Sequence, residues 1–276
     1  MKSSNPVLSR LADRSAQHAT FQRAPAQQPY GGYQAPAGYG QSPEYGQSYA
    51  PSSTERMTVD DVVVRTVAML AVVGIFGAIG WFVLPASIAT GVAIVAAMAG
   101  LVLGLVISFA GITNPALILT YAAAEGLFLG VISQAFESAY PGIVVQAVAA
   151  TFAVFFGMAA LYKFKVIRVT PTFAKWVIGA LIGVTVLMLV NFALAIFNVN
   201  DGTGLGLRSG GGIAIIFSLV CIGIAALTFA LDFKQIEDLA NAGADKKYAW
   251  LSAFGIVVGL VWLYLEILRL LSYFRN

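Results

Sequence analysis

Beyond residue 56 the chain is written in long apolar stretches separated by polar punctuation. Seven stretches stand out, at about residues 60–84, 86–111, 116–139, 143–164, 173–197, 211–240 and 248–275. Each exceeds the roughly 18 apolar residues that identify a bilayer-crossing helix. The sixth and seventh are long enough to project beyond the bilayer. The breaks fall where turn residues cluster: Pro85, Asn114-Pro115, Tyr140 to Gly142, Val169 to Thr172, NDGTGLGLRSGGG and NAGADKK. The first stretch starts at TVDD. Thr58 with Asp61 three residues on resembles a capping box, and Asp60 and Asp61 suit the positive end of a helix dipole. Glycines recur inside the stretches, as in GIFGAIG, GLVLGLVIS and GALIGVTV. They make the small-residue faces that let membrane helices approach closely. None follows a predicted strand, so no phosphate-binding loop is implied.

Residues 1–56 are a different material. QRAPAQQPYGGYQAPAGYGQSPEYGQSYAPSS is rich in Pro, Gly, Gln, Ser and Tyr and nearly devoid of aliphatic residues. Such a segment buries too little apolar area to offset the entropy of ordering it, so a disordered tail is expected. It has no apolar core of the kind found in a signal peptide. The predicted organisation is thus a disordered tail, 1–56, and a membrane domain, 57–276, of the all-α integral class with seven transmembrane helices.

Composition supports this division. Of 276 residues, 59% are hydrophobic and 11% charged, where soluble domains carry about 25% charged residues. The excess apolar surface calls for lipid as solvent. A net charge of +3, scattered along the chain, gives no reason to expect nucleic acid as a partner. Cys221 is the sole cysteine and His18 the sole histidine. No disulfide can form within the chain. A zinc motif of the H-E-x-x-H type and a Ser-His-Asp triad within the membrane are excluded. No cofactor or resident metal is expected, and no enzymatic activity.

Basic residues set an expected orientation. Lys163, Lys165, Arg168 and Lys175 surround the fourth connection, and Lys234, Lys246 and Lys247 the sixth. The first and third connections have no basic residue and the fifth has only Arg208. By the positive-inside rule the even-numbered connections are cytoplasmic. Seven spans then place the tail in the cytoplasm and the C-terminus outside. Arg269 and Arg275, near the far end, can snorkel to the outer headgroups.

Ionisable residues within the spans are few. Glu125 lies near the middle of the third, Glu266 in the seventh and Asp232 late in the sixth. Arg65 lies one turn into the first, and Asn191, polar but uncharged, late in the fifth. An ionised carboxylate at depth costs several kcal/mol unless paired, protonated or facing water, so each acid is a functional candidate. For Glu266 a plain ion pair with Arg269, three residues on, is the structural alternative.

Three segments carry a resemblance: AEGLFLGVIS in the third span, LDFKQI closing the sixth and LYLEILRLL closing the seventh. With them the chain resembles the Bax inhibitor-1 family in its bacterial YccA-like branch, over about residues 60–276. The opening MKSSNPVLSRL is similar to an actinobacterial branch. The resemblance implies six helices around a central seventh. It also implies a pH-sensitive calcium leak governed by two aspartates, one on the sixth helix and one on the seventh. Asp232 matches the first. The second is missing. The sixth and seventh spans form a hairpin turning near Gly243 to Asp245, so the level partner of Asp232 should lie near Ile256 to Gly259, where no acid occurs. Aligning the closing segment puts the family's second aspartate at or near Gly259. Glu266 is about seven or more residues too far, roughly 10 Å at 1.5 Å per residue.

Asp232 is therefore expected to pair with a cation at its own end of the bundle, Arg65 or Lys234. Glu125 and Glu266 are expected to form the deeper polar site, sharing a proton or a cation if their spans are neighbours. Arg269 is the competing partner of Glu266. The leading expectation is a cation or calcium leak of the plasma membrane, with calcium as permeant ion, since oxygen ligands suit it. A non-conducting regulator of membrane proteolysis or stress survival, acting through other membrane proteins, is the alternative that the resemblance allows.

Overall fold

A computed structural model describes residues 55–200 and 202–275. The disorder expected over residues 1–56 falls outside the described residues except at Glu55 and Arg56. Seven helices follow: α1 (Val59–Phe82), α2 (Ala86–Ala110), α3 (Pro115–Ala139), α4 (Ile143–Lys163), α5 (Pro171–Ile196), α6 (Gly212–Asn241) and α7 (Tyr248–Tyr273). All seven are long and apolar enough to cross a membrane. Their ends lie within about two residues of the expected ones, the usual latitude for a helix boundary.

The boundaries have local causes. At α1 the expected capping box is formed: the Asp61 amide donates to Thr58 Oγ1 at 3.2 Å, and the Asp61 carboxylate accepts from the Thr58 amide at 3.1 Å. Helices α3 and α5 start alike, with Asn114 or Thr170 capping and proline at the first helical position. Proline is suited to that position because it has no amide hydrogen to leave unpaired. Helix α2 stops at Gly111, whose φ of 61° is left-handed.

The last helix is the core. Of the seven helices α7 is the most buried, and α1 and α5 are the least. Helices α1, α3, α4 and α6 pack on α7, while α2 leans on α3 and α5 on α6. The six thus surround the seventh with two of them in an outer layer. Their outward side chains are large and apolar, including Phe109 at 88% exposed and Trp176 at 76%. A surface of that kind is compatible with hydrocarbon and not with water.

The tightest seam joins α1 to α3. A Cβ on Gly126 would lie 2.6 Å from the Val73 carbonyl oxygen, and one on Gly80 2.7 Å from that of Leu127. These backbones touch only because both residues lack side chains, and the dispersion contact so gained holds helices together where lipid offers no hydrophobic drive.

The two ends of the bundle differ. At one, here the turn end, Gly243 to Lys247 join α6 to α7. The segment before α1 docks there: the Met57 amide donates to the Ala244 carbonyl and the Lys246 amide to that of Glu55, both at 2.8 Å. Met57 is buried, fixing the entry to α1. All described lysines lie at this end. At the other, the loop end, the connection from α5 to α6 folds back, and the Leu205 amide donates to Asn191 Oδ1 at 2.9 Å. Asn191, expected as an isolated polar group late in the fifth span, is thus the anchor of this loop.

Candidate functional site

The carboxyl groups of α6 and α7 are the candidate site. In α6 the residues Ala225, Phe229 and Ile236 are buried and recur at spacings that form one face of a helix. Asp232 falls on that stripe, three residues after Phe229 and four before Ile236. It is half-buried. Among the described residues no hydrogen bond or ion pair engages its carboxyl.

Both expected partners are committed elsewhere. Arg65 pairs with Asp61 at 3.2 Å, donates to the Asp61 carbonyl at 2.9 Å and lies over the Trp250 ring at 5.6 Å. The nearer acid, one turn back, and an aromatic face capture it. Lys234 pairs with Asp238 at 2.6 Å. It follows Asp232 by two residues and so points to another side of the helix, where its i+4 acid is the neighbour. The expectation of a cation partner for Asp232 is corrected accordingly.

The hairpin level is as the sequence implied. The Phe229 ring stands 2.9 Å from where a Cβ on Gly259 would be. Residue 229 being level with 259, antiparallel counting puts 232 level with 256. Space that a seventh-helix side chain would need at Gly259 is filled by the Phe229 ring from α6. That ring also meets Phe155 of α4 edge-on, with centroids 5.1 Å apart. The position is a packed aromatic contact in this chain.

Glu266 is the opposite case. Its side chain is 2% exposed, and Oε1 accepts from Arg269 at 3.0 Å and from Arg208 at 3.1 Å. Its Oε2 is buried with no partner among the described residues. Arg269 is the helix neighbour expected. Arg208 comes from the glycine-rich loop between α5 and α6, and it was the one basic residue of that connection. The signal was visible, but nothing in the sequence says how a loop folds back. Burial, then the charge of Arg269, pull the Arg208 guanidinium below its ordinary value, and the Glu266 carboxylate opposes both.

Glu125 is half-buried on α3. Its polar neighbour is the Tyr121 hydroxyl one turn back. Its Oε1 lies 2.8 Å from where a Cβ on Gly100 of α2 would be. Glu125 therefore turns toward the outer helix α2, while Glu266 turns toward Arg208 and Arg269. The shared deep site expected for them is not formed. Counting residues along two helices gave neither their rotation nor a common depth: the Ser133–Tyr264 hydrogen bond sets residue 133 of α3 level with 264 of α7, so Glu125 lies about ten residues, roughly 15 Å, from the level of Glu266. Among the described residues no three His, Cys, Asp or Glu side chains are grouped to hold a metal ion.

A bundle of seven apolar helices, with its last helix as core and a carboxyl on the sixth-helix stripe facing inward, defines a multi-pass helical membrane protein. The chain belongs to the Bax inhibitor 1 like family, whose model matches residues 5–276. The match runs into the segment that composition sets apart from the membrane domain. No curated protein matches the chain.

Proposed function

We propose that this protein is a pH-sensitive cation leak of the Bax inhibitor type, with calcium as the permeant ion and Asp232 as the group that sets its pH response. The observation that carries the reading is the Asp232 carboxyl itself. It sits on the inward stripe of α6 with no counter-charge and no hydrogen bond among the described residues. Ionisable groups at depth without a partner are costly, and a proton or a cation is what relieves the cost. A carboxylate oxygen is also the ligand type that calcium prefers. On the α6–α7 hairpin the device has one carboxyl at that level, since Phe229 fills the space beside Gly259. The proposed orientation puts the turn end, with all the described lysines, in the cytoplasm. Glu266, paired through Oε1 to two arginines, then lies toward the outside.

The test is calcium flux into liposomes that contain the purified protein, measured at a series of pH values, for the wild type and Asp232→Asn. The amide cannot ionise, so the variant should lose the pH dependence of flux while keeping the fold. An unchanged pH midpoint and amplitude in Asp232→Asn would remove Asp232 from the mechanism. Liposomes that stay sealed at every pH would favour the non-conducting regulator.

A further inference from the structure

Helices α1 and α4 both pack on α7 but form no substantial seam with each other. Between them runs a lateral cleft in two stretches, of about 440 and 860 Å³, which meet at Leu70 and Phe152. We propose that the wider stretch is a binding site for one anionic phospholipid from the leaflet at the turn end, its acyl chains against α1 and α4 and its phosphate on Lys163, Lys165 and Arg168.

Three observations converge on that occupant. The first is depth. The wide stretch follows α1 from Val59 to Leu70, about 16 Å at the helical rise. That is one leaflet of a hydrocarbon core about 30 Å thick. Its walls are apolar and open sideways, with Val63, Val67 and Phe156 more than half exposed. A polar or peptidic ligand would find few partners along them.

The second is charge. Lys163, Lys165 and Arg168 line the mouth of this stretch, at the level where a headgroup lies. None has an ion pair among the described residues, although Lys234, Lys246 and Lys247 at the same end are each paired to a carboxylate. The acid of the rim, Glu237, accepts from the Tyr162 hydroxyl and offsets one charge, which leaves the three cations in excess. Uncompensated cations at the interface attract anionic lipid.

The third is backbone conformation. Lys165 has a φ of 56°, in the turn that ends α4, where the Val166 amide reaches back to the Leu161 carbonyl. Glycine is the usual residue there, and a residue with a Cβ is strained by it. The other described non-glycine residues at positive φ are Asn198 and Asn200, a type that tolerates it. A lysine in the strained position places a third charge at the cleft mouth. Favourable interaction with the α4 dipole would already be supplied by Lys163.

The site is independent of whether the protein conducts ions. It is tested by native mass spectrometry of the full chain released from detergent, with phosphatidylglycerol or phosphatidylcholine of the same acyl chains added at equal concentration. The wild type should retain one phosphatidylglycerol in preference to phosphatidylcholine. Lys163→Gln, Lys165→Gly and Arg168→Gln together should lower phosphatidylglycerol affinity on the order of 100-fold and abolish the preference. Lys165→Gly relaxes the turn, so this variant keeps the fold. Val67→Trp, which fills the cleft, should lose both lipids; if it fails to fold, the charge variants decide alone. Lys175→Gln removes an unpaired cation at the same end but off the cleft and should change nothing. Equal retention of the two lipids by the wild type would overturn the site. So would a loss in Lys175→Gln as large as in the triple variant, because the effect would then belong to the general charge of that end.

Discussion

Two carboxyl groups on the α6–α7 hairpin have opposite surroundings. Glu266 is sealed, and one of its oxygens takes two guanidinium groups. Asp232 is half-buried and takes none. Residue type and apolar context are alike, so neither separates them. What differs is the neighbour on the same helix face. Arg269 is three residues from Glu266 and shares its side. Lys234 is two residues from Asp232 and does not. The lesson is that an intramembrane acid with a basic residue one turn away is held structurally, while one whose nearest base is on another face stays available. Glu266 then organises the loop end through Arg208, and Asp232 is left without a counter-charge among the described residues.

The comparison breaks first at Glu266. Replacing it with alanine leaves Arg208 and Arg269 facing each other without a counter-charge. The expected loss is about 3 kcal/mol, the low end of the range for removing one partner of a buried pair, since both arginines keep some contact with solvent. Thermal unfolding in detergent measures it. Glu266→Gln keeps an acceptor for the two arginines and should lose less. A loss no larger in the alanine variant than in the glutamine variant would mean that the two guanidinium contacts do not hold the loop end.

Asp232 should move the other way. An unpaired polar group at a packed seam costs about 1–3 kcal/mol, and the Asp232 side chain keeps part of its surface open. Asp232→Leu is therefore expected to stabilise the protein, by about 1 kcal/mol, in the same unfolding assay. Destabilisation of that size or more would reveal a partner that holds the carboxyl, and would end the contrast with Glu266.

The sequence carried the fold far. Thr58, Asn114-Pro115 and Thr170-Pro171 mark helix starts chemically, and the apolar runs are too long to be anything but spans. The level of Asp232 relative to Gly259 was also legible, because a helical hairpin has a fixed rise. Rotation was not. Whether Glu125 turns toward α7 or α2 depends on which faces the glycines of α1, α2 and α3 press together, and those contacts are known only in three dimensions. Arg208 was hidden for a related reason. Its reach to Glu266 depends on Asn191 and a run of left-handed glycines folding the loop back, which is cooperative and leaves no periodic trace. The docking of Glu55 and Met57 on the α6–α7 turn is a backbone pairing, and backbone pairing of two isolated residues has no side-chain signature.

The smallest effect sharpens the comparison at the turn end, where acids with partners lie within a few turns of the one without. Lys246 bridges Glu55 at 2.5 Å and Asp61 at 3.6 Å. The Glu55 hydrogen bond first, and then the Asp61 charge, raise the lysine above its ordinary 10.5. A lysine whose folded value is raised contributes stability that is fully present below the unfolded value. That contribution fades as pH climbs through the folded one. Between pH 7 and 9, Lys246→Gln should therefore melt slightly below the wild type, by about 1 °C given how little exposed pairs contribute. The gap should close at a pH above the ordinary lysine value of 10.5, where the wild-type lysine also loses its proton. It should close as well in about 1 M salt, where the screening length falls to about 3 Å. The gap opened by Glu266→Ala should persist in the same salt, because the Glu266 carboxylate is buried. If salt erased both gaps equally, the Glu266 pair would be as solvated as the Lys246 pair, and burial would not be what distinguishes the acid at the loop end.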